Sequence, residues 1–172
     1  VYFDGTAGGG GHSFAILASN PTVRLIATDK DGEAIAEATK RLEPFRGRFR
    51  IFRTDFKNYA EAFDAAGVEK IDGFLLDLGI SSHQIDTRER GFAYMCDEAP
   101  LDMRMDDRSP LPAETVVNEY GEEELFRILR EYGEETFASS IVRNIAAARS
   151  AERIVTCGQL RRIVEKSVPA KY

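Results

Sequence analysis

Residues 4–13 read Asp-Gly-Thr-Ala-Gly-Gly-Gly-Gly-His-Ser, set between a short apolar stub, Val1-Tyr2-Phe3, and the helical pattern Phe14-Ala15-Ile16-Leu17-Ala18. A strand that turns at once into a helix needs glycine for the bend, and a bulky ligand can lie on backbone only where side chains are absent. The four consecutive glycines Gly8 to Gly11 exceed what turning alone requires. The segment reads as a nucleotide-binding loop, and it commits the chain to a strand–loop–helix opening.

The next seventy residues fit that opening. Short apolar runs alternate with helical patterns, the signature of parallel strands joined by crossover helices. Strands are expected over residues 1–3, over 24–28 ending at Asp29, over 49–53, and over 71–78 ending in Asp77-Leu78-Gly79. Ala34, Ile35, Ala38 and Leu42 recur at helical spacing, as do Tyr59, Ala62, Phe63 and Ala66, so both segments predict helices that cover a sheet face. The run 71–78 has the pattern of a strand buried on both faces, which belongs mid-sheet. Residues 81–112 are rich in Asp, Arg, Gly and Pro and too long for a plain connection, which predicts a functional loop. Helical periodicity then returns without strands: Leu125, Ile128, Leu129 and Tyr132 form one stripe in 122–132, and Phe137, Ile141 and Ile145 another in 134–149. A last helix starts at Thr156, a good N-cap, and stops before Pro169. The expected division is therefore 1–80, 81–112 and 113–172.

A chain of 172 residues is enough for a real core, and no stretch has the length of a membrane span. The expectation is a cytoplasmic protein, with Cys96 and Cys157 as free thiols because they lack metal-ligand spacing. Net charge is −6, which argues against a polyanionic partner. From Ile141 onward, however, Arg143, Arg149, Arg153, Arg161, Arg162, Lys166 and Lys171 face only Glu152 and Glu165. That stretch is either a basic docking face or an ordinary solvated helical surface.

The ligand class narrows by what the glycine loop lacks. A phosphate-binding P-loop needs Gly-Lys-Ser/Thr, and no lysine stands near. A dinucleotide fingerprint counted from Gly8 and Gly10 wants a third glycine where Ser13 stands. An acid just ahead of the glycines, here Asp4, is instead the arrangement of S-adenosylmethionine-dependent methyltransferases, whose ligand has no pyrophosphate. Asp29 would accept ribose hydroxyls in either case, or would simply cap the helix after it.

More strings appear in order: Asp29-Lys30-Asp31; Leu76-Asp77-Leu78-Gly79-Ile80-Ser81-Ser82; Gln84-Ile85-Asp86; Glu89-Arg90-Gly91-Phe92; Pro100-Leu101-Asp102-Met103-Arg104-Met105-Asp106; Leu129-Arg130-Glu131-Tyr132-Gly133-Glu134-Glu135. With the glycine loop, this set closely resembles the RsmH (MraW) family, bacterial methyltransferases that methylate the N4 of a cytidine in small-subunit ribosomal RNA. The resemblance runs over essentially the whole chain. It implies an α/β fold with a Rossmann-like class I S-adenosylmethionine methyltransferase core and an all-helical inserted subdomain for substrate recognition. It implies S-adenosylmethionine as cofactor and 16S ribosomal RNA in the small ribosomal subunit as partner; a homodimer is a separate expectation, not given by the resemblance. The family's cofactor contacts fall here on Gly10, Gly11, His12, Asp29, Phe56, Asp77 and Gln84. Phe56 would cover the adenine face, or else cap the third strand as a core residue.

Two positions depart from the family pattern: Gly9 replaces a common Arg, and His83 stands where a proline is usual, without serving as a base. The family's later strands and its His-Pro-Ala-Thr-Arg-Thr-Phe motif do not occur, so a part of a longer enzyme is expected, and activity of this part alone is in question. Direct displacement at a sulfonium asks mainly for positioning, with an acceptor beside the amine. Asp77 is the candidate acceptor, with Ser81 and Ser82 as alternatives, unless Asp77 serves the cofactor alone. No metal is expected: Asp97, Asp102, Asp106 and Asp107 should pair with Arg104 and Arg108. The other functions that fit are a methyltransferase for a small molecule or protein, and a noncatalytic nucleotide- or RNA-binding fragment.

Overall fold

The computed structural model describes residues 1–171. They divide into two compact units, Val1–Ile80 with Met105–Asp107, and Ser81–Arg104 with the chain from Arg108 onward. Among the described residues no helix is long and apolar enough to cross a membrane.

The first unit is a parallel sheet of β1 (Tyr2–Asp4), β2 (Leu25–Asp29), β3 (Phe49–Arg53) and β4 (Gly73–Leu75), in the order β3-β2-β1-β4. Its crossovers are α1 (Gly11–Ser19), α2 (Gly32–Arg41) and α3 (Tyr59–Ala66). Alternate residues of β2 face opposite ways. Leu25 and Ala27 pack with Leu17 and Leu42 on the α1–α2 face, while Ile26 packs with Phe3 and Ala62 on the α3 face. Leu17, Leu25 and Leu42 are fully buried, each contributing about 2 kcal/mol by leaving water. Asp31 caps α2, its carboxylate accepting the Glu33 N–H at 3.0 Å, and Lys40 and Arg41 complement the dipole at the other end. With α1 and α2 on one face and α3 on the other, the sheet is wound in both directions from β1.

The first three strands lie where the sequence predicts. The fourth is shorter: only Gly73–Leu75 pairs, and β1 is its one neighbour among the described residues. The expected burial on both faces is not found, since Phe74 and Leu78 are 69% and 68% exposed. Its apolar run is that of an interior strand, but burial depends on neighbours, which periodicity does not report.

The second unit is helical: α4 (Ser82–Asp86), α5 (Ala113–Glu119), α6 (Glu122–Arg127) running into a π turn at Ile128–Tyr132, α7 (Ala138–Ala151) and α8 (Cys157–Ser167). Val117, Leu125, Ile141, Val142, Ile145, Ile154 and Cys157 form its core. Ala99 and Leu101 of the long loop are buried in that same core, and Pro100 bridges to Thr156. α7 starts at Ala138, later than the predicted 134, because Glu134 sits at φ 52° and the Glu135 carboxylate accepts the Phe137 N–H.

Candidate functional site

In an open α/β sheet, ligands bind beyond the carboxyl ends of the strands where the winding reverses. Here that point lies between β1 and β4, flanked by the glycine loop after β1 and by Asp77 after β4.

The loop is braced from beneath by small polar side chains. Asp4 is fully buried; its carboxylate accepts the Thr6 N–H at 3.1 Å and the Ser13 hydroxyl at 2.6 Å. Burial pushes the Asp4 carboxyl above its ordinary value against the pull of those two bonds. Thr28 donates its hydroxyl to the Gly5 carbonyl at 3.0 Å, and the Ala7 N–H reaches the Thr28 carbonyl at 3.0 Å. A Cβ at Gly5 would lie 2.3 Å from Leu76 Cδ2 and 3.0 Å from Phe56 Cβ, so a larger residue there requires those side chains to shift. Gly10, at φ 79°, is the N-cap of α1 and packs on Ala38, where a Cβ would stand 3.0 Å from Cα.

Asp29 ends β2 beside this loop. Its two carboxylate oxygens accept the Gly8 N–H at 2.8 Å and the Asp31 N–H at 2.9 Å. Asp31, not Asp29, caps α2. Asp77 is tied to the other side: its N–H donates to Thr6 Oγ1 at 2.7 Å, and its exposed carboxylate lies 3.8 Å from His12 Nδ1. Phe56, half-buried with the α3-side core, stands against Gly5. The structure thus gathers Gly10, Gly11, His12, Asp29, Phe56 and Asp77 around one loop.

Ser81, Ser82 and Gln84 belong to the second unit. Ser81 caps α4, its hydroxyl accepting the Gln84 N–H at 3.2 Å, while Gln84 Oε1 accepts the Ser81 N–H at 3.0 Å. Gln84 is buried and Ser82 is exposed. The Ser-x-x-Gln spacing is itself a sequence signal for this capping box. Sequence reasoning also passed over Thr6, Ser13 and Thr28, whose hydroxyls hold the loop; nothing in their spacing marks them.

The basic C-terminal stretch is largely engaged within its own unit. Arg149 donates to the Val117 and Tyr120 carbonyls at 2.9 and 2.8 Å, and Arg153 binds Glu114 and Glu119. Arg161 and Arg162 both hold Asp97, at 2.7 and 2.9 Å. In the long loop, Arg104 takes Asp102 with two nitrogens, the pairing expected there.

A parallel sheet wound both ways from β1, with a bare glycine turn and acids at the tips of its neighbours, is a Rossmann-like methyltransferase core. Residues 1–172 match the model of the MraW methylase family, and the chain belongs to that family. It is 51% identical over 170 residues to ribosomal RNA small subunit methyltransferase H of Citrifermentans bemidjiense, covering 98% of this chain and 54% of that protein. The protein of the same name from Lachnospira eligens is 49% identical over 172 residues, covering 99% and 54%. Ribosomal RNA small subunit methyltransferase H 2 of Agathobacter rectalis is 46% identical over 172 residues, covering 99% and 55%. The chain spans about half the length of these curated relatives.

Proposed function

We propose that this chain forms the cofactor-binding part of a methyltransferase that carries a methyl group from S-adenosylmethionine to the exocyclic N4 of a cytidine in 16S ribosomal RNA, acting in the cytoplasm. One observation carries the reading: the glycine loop at the winding reversal has Asp29 bonded to one side of it and Asp77 to the other. The relatives' names, each of a small-subunit ribosomal RNA methyltransferase, supply the substrate class.

When bound, the cofactor supplies a methyl group on a positively charged sulfur that is already a good leaving group. The chain's task is placement. Asp29, its carboxylate oriented by the Gly8 and Asp31 N–H groups, retains lone pairs for two ribose hydroxyls. Phe56 offers a ring face to adenine, and Gly10, Gly11 and His12 line the path of the methionine portion. Gln84 completes the contacts that the family resemblance implies. In the transfer an N–C bond forms as the S–C bond breaks, and the amine must shed a proton. The Asp77 carboxylate, exposed and with its backbone pinned by Thr6, is the acceptor, with Ser81 and Ser82 as further polar groups for the amine. Arg143, Lys166 and Lys171, cations of the C-terminal stretch without a side-chain partner among the described residues, are left to meet phosphate.

Calorimetry tests the cofactor site: Asp29→Ala should weaken S-adenosylmethionine binding on the order of 100-fold, because ribose acceptor and loop brace are lost together. Asp77→Asn should lower kcat while leaving that affinity within a few-fold; an equal loss in both would make Asp77 a cofactor ligand only. Mass spectrometry of small-subunit RNA from cells lacking the gene tests the substrate, and an unchanged N4-methylcytidine content would refute it.

A further inference from the structure

Within the long loop, the tripeptide Met105–Asp107 groups with the first unit, while the residues on either side group with the second. The proposed chemistry does not use it. Arg104 closes the base of this excursion: its guanidinium holds Asp102 at 2.7 Å and reaches the Ser109 carbonyl at 2.8 Å, and Arg90 donates to its carbonyl at 3.0 Å. Residues between 104 and 109 therefore project as a tip with two acids at its centre.

Arg53 receives that tip. It is the last residue of β3 and the register partner of Asp29 on β2. Its Nη2 pairs with Asp107 and lies 3.4 Å from Asp106, and its Nε is 3.4 Å from the Lys30 carbonyl. The guanidinium lies against Gly32 at the start of α2, where a Cβ would stand 2.9 Å from Cζ and Nη1. Asp106 is the less exposed of the two acids, at 23% for its side chain against 74% for Asp107. A cation at the strand tip beside Asp29 is thus held by two carboxylates brought from far along the chain.

We propose that Met105–Asp107 is a strap over the ribose side of the cofactor site, and that Arg53, through Asp106 and Asp107, positions it and sets how long S-adenosylmethionine stays bound. The proposal rests on reading the strand-end cleft as the S-adenosylmethionine site. A partly exposed ion pair is modest in strength, but here two acids share one guanidinium backed by a carbonyl and a glycine floor. The strap's contribution should therefore appear in the dissociation rate and should weaken as salt screens it.

The experiment measures S-adenosylmethionine dissociation by stopped-flow displacement and, in parallel, tryptic cleavage after Arg108, using the full chain. Arg53→Gln should raise the dissociation rate about fivefold to tenfold, flatten its salt dependence and speed cleavage. Arg53→Asp combined with Asp107→Arg should restore the dissociation rate toward wild type, which a folding defect would not. Faster cleavage with an unchanged dissociation rate overturns the proposal, as does no change in either. Failure of the wild-type chain to bind S-adenosylmethionine at all would instead bring down the cofactor-site reading, and the strap's role with it.

Discussion

The two irregular segments of this chain, residues 4–13 and 81–112, are held in opposite ways. The glycine loop is fastened from below by Asp4, Ser13, Thr28 and Asp29, short side chains whose bonds run to each other and to backbone, with the run Gly8 to Gly11 free of side chains. The long loop is fastened by charge and by burial: Arg104 on Asp102, two arginines on Asp97, and Ala99 and Leu101 inside the core of its own unit. The first arrangement leaves bare backbone at the strand ends. The second ties part of the loop into the packing of the second unit, while Met105–Asp107 groups with the first.

Each segment also contains a left-handed glycine pressed against backbone, and substitution there gives the largest expected effect. Gly91 sits at φ 75°, and a Cβ would meet the Pro100 carbonyl oxygen at 2.4 Å and the Asp102 nitrogen at 2.9 Å. Gly91→Ala should destabilise by about 3 kcal/mol, from the disfavoured φ plus a backbone that must shift. Gly10→Ala, at φ 79° and 3.0 Å from Ala38 Cα, should cost about 2 kcal/mol. Gly9 is the control: its nearest neighbour is Glu37 Cγ at 3.8 Å, so Gly9→Ala should stay within about 0.5 kcal/mol. Urea unfolding orders the three, and equal costs at Gly91 and Gly9 would show that the long loop is not packed against its own backbone at Pro100 and Asp102.

The contrast extends to pH. Burial raises the Asp4 carboxyl above the ordinary 3.8, so the folded state binds its proton more readily than the unfolded state. Its contribution to stability is present below pH 3.8 and is lost as pH rises through the higher folded value. Asp102 runs the other way: the hydrogen bond from Arg104 holds its carboxyl below 3.8, so its stabilisation is present above that value and is lost as pH falls toward the lowered one. Unfolding free energies measured from acid to neutral pH should change slope in opposite senses for Asp4→Asn and Asp102→Asn. Parallel changes would mean that the two carboxylates are not held differently.

Legibility in the sequence divides along the same line. β1, β2 and β3 are short apolar runs ending in Asp or Arg, and position along the chain locates each to within a residue. The 71–78 run reads as a mid-sheet strand but pairs only over Gly73–Leu75, because periodicity records a strand's composition and not whether a second neighbour covers Phe74 and Leu78. The braces under the glycine loop escaped for a related reason: Thr6, Ser13 and Thr28 matter only through what lies beneath a turn. The basic stretch was legible as charge but not as pairing, since Arg153 and Arg162 find Glu114, Glu119 and Asp97 between 34 and 65 residues away.

Apart from the Gly9 control, the smallest expected effects come from two matching capping boxes, and they separate structure from chemistry at Ser81. Thr156 accepts the Gln159 N–H at 3.2 Å, and Gln159 Oε1 returns to the Thr156 and Val155 N–H groups at 3.0 and 2.8 Å. Thr156→Ala should cost about 1 kcal/mol by leaving a helix N–H unsatisfied. Ser81→Ala removes the equivalent bond from α4, a helix of only five residues, and should cost no more. A residue that only caps would leave methyl transfer per folded molecule unchanged. If Ser81→Ala instead lowers kcat well beyond its thermal cost while Thr156→Ala does not, the Ser81 hydroxyl serves the amine as well as the helix, and Ser81→Thr, which keeps the hydroxyl, should retain the activity.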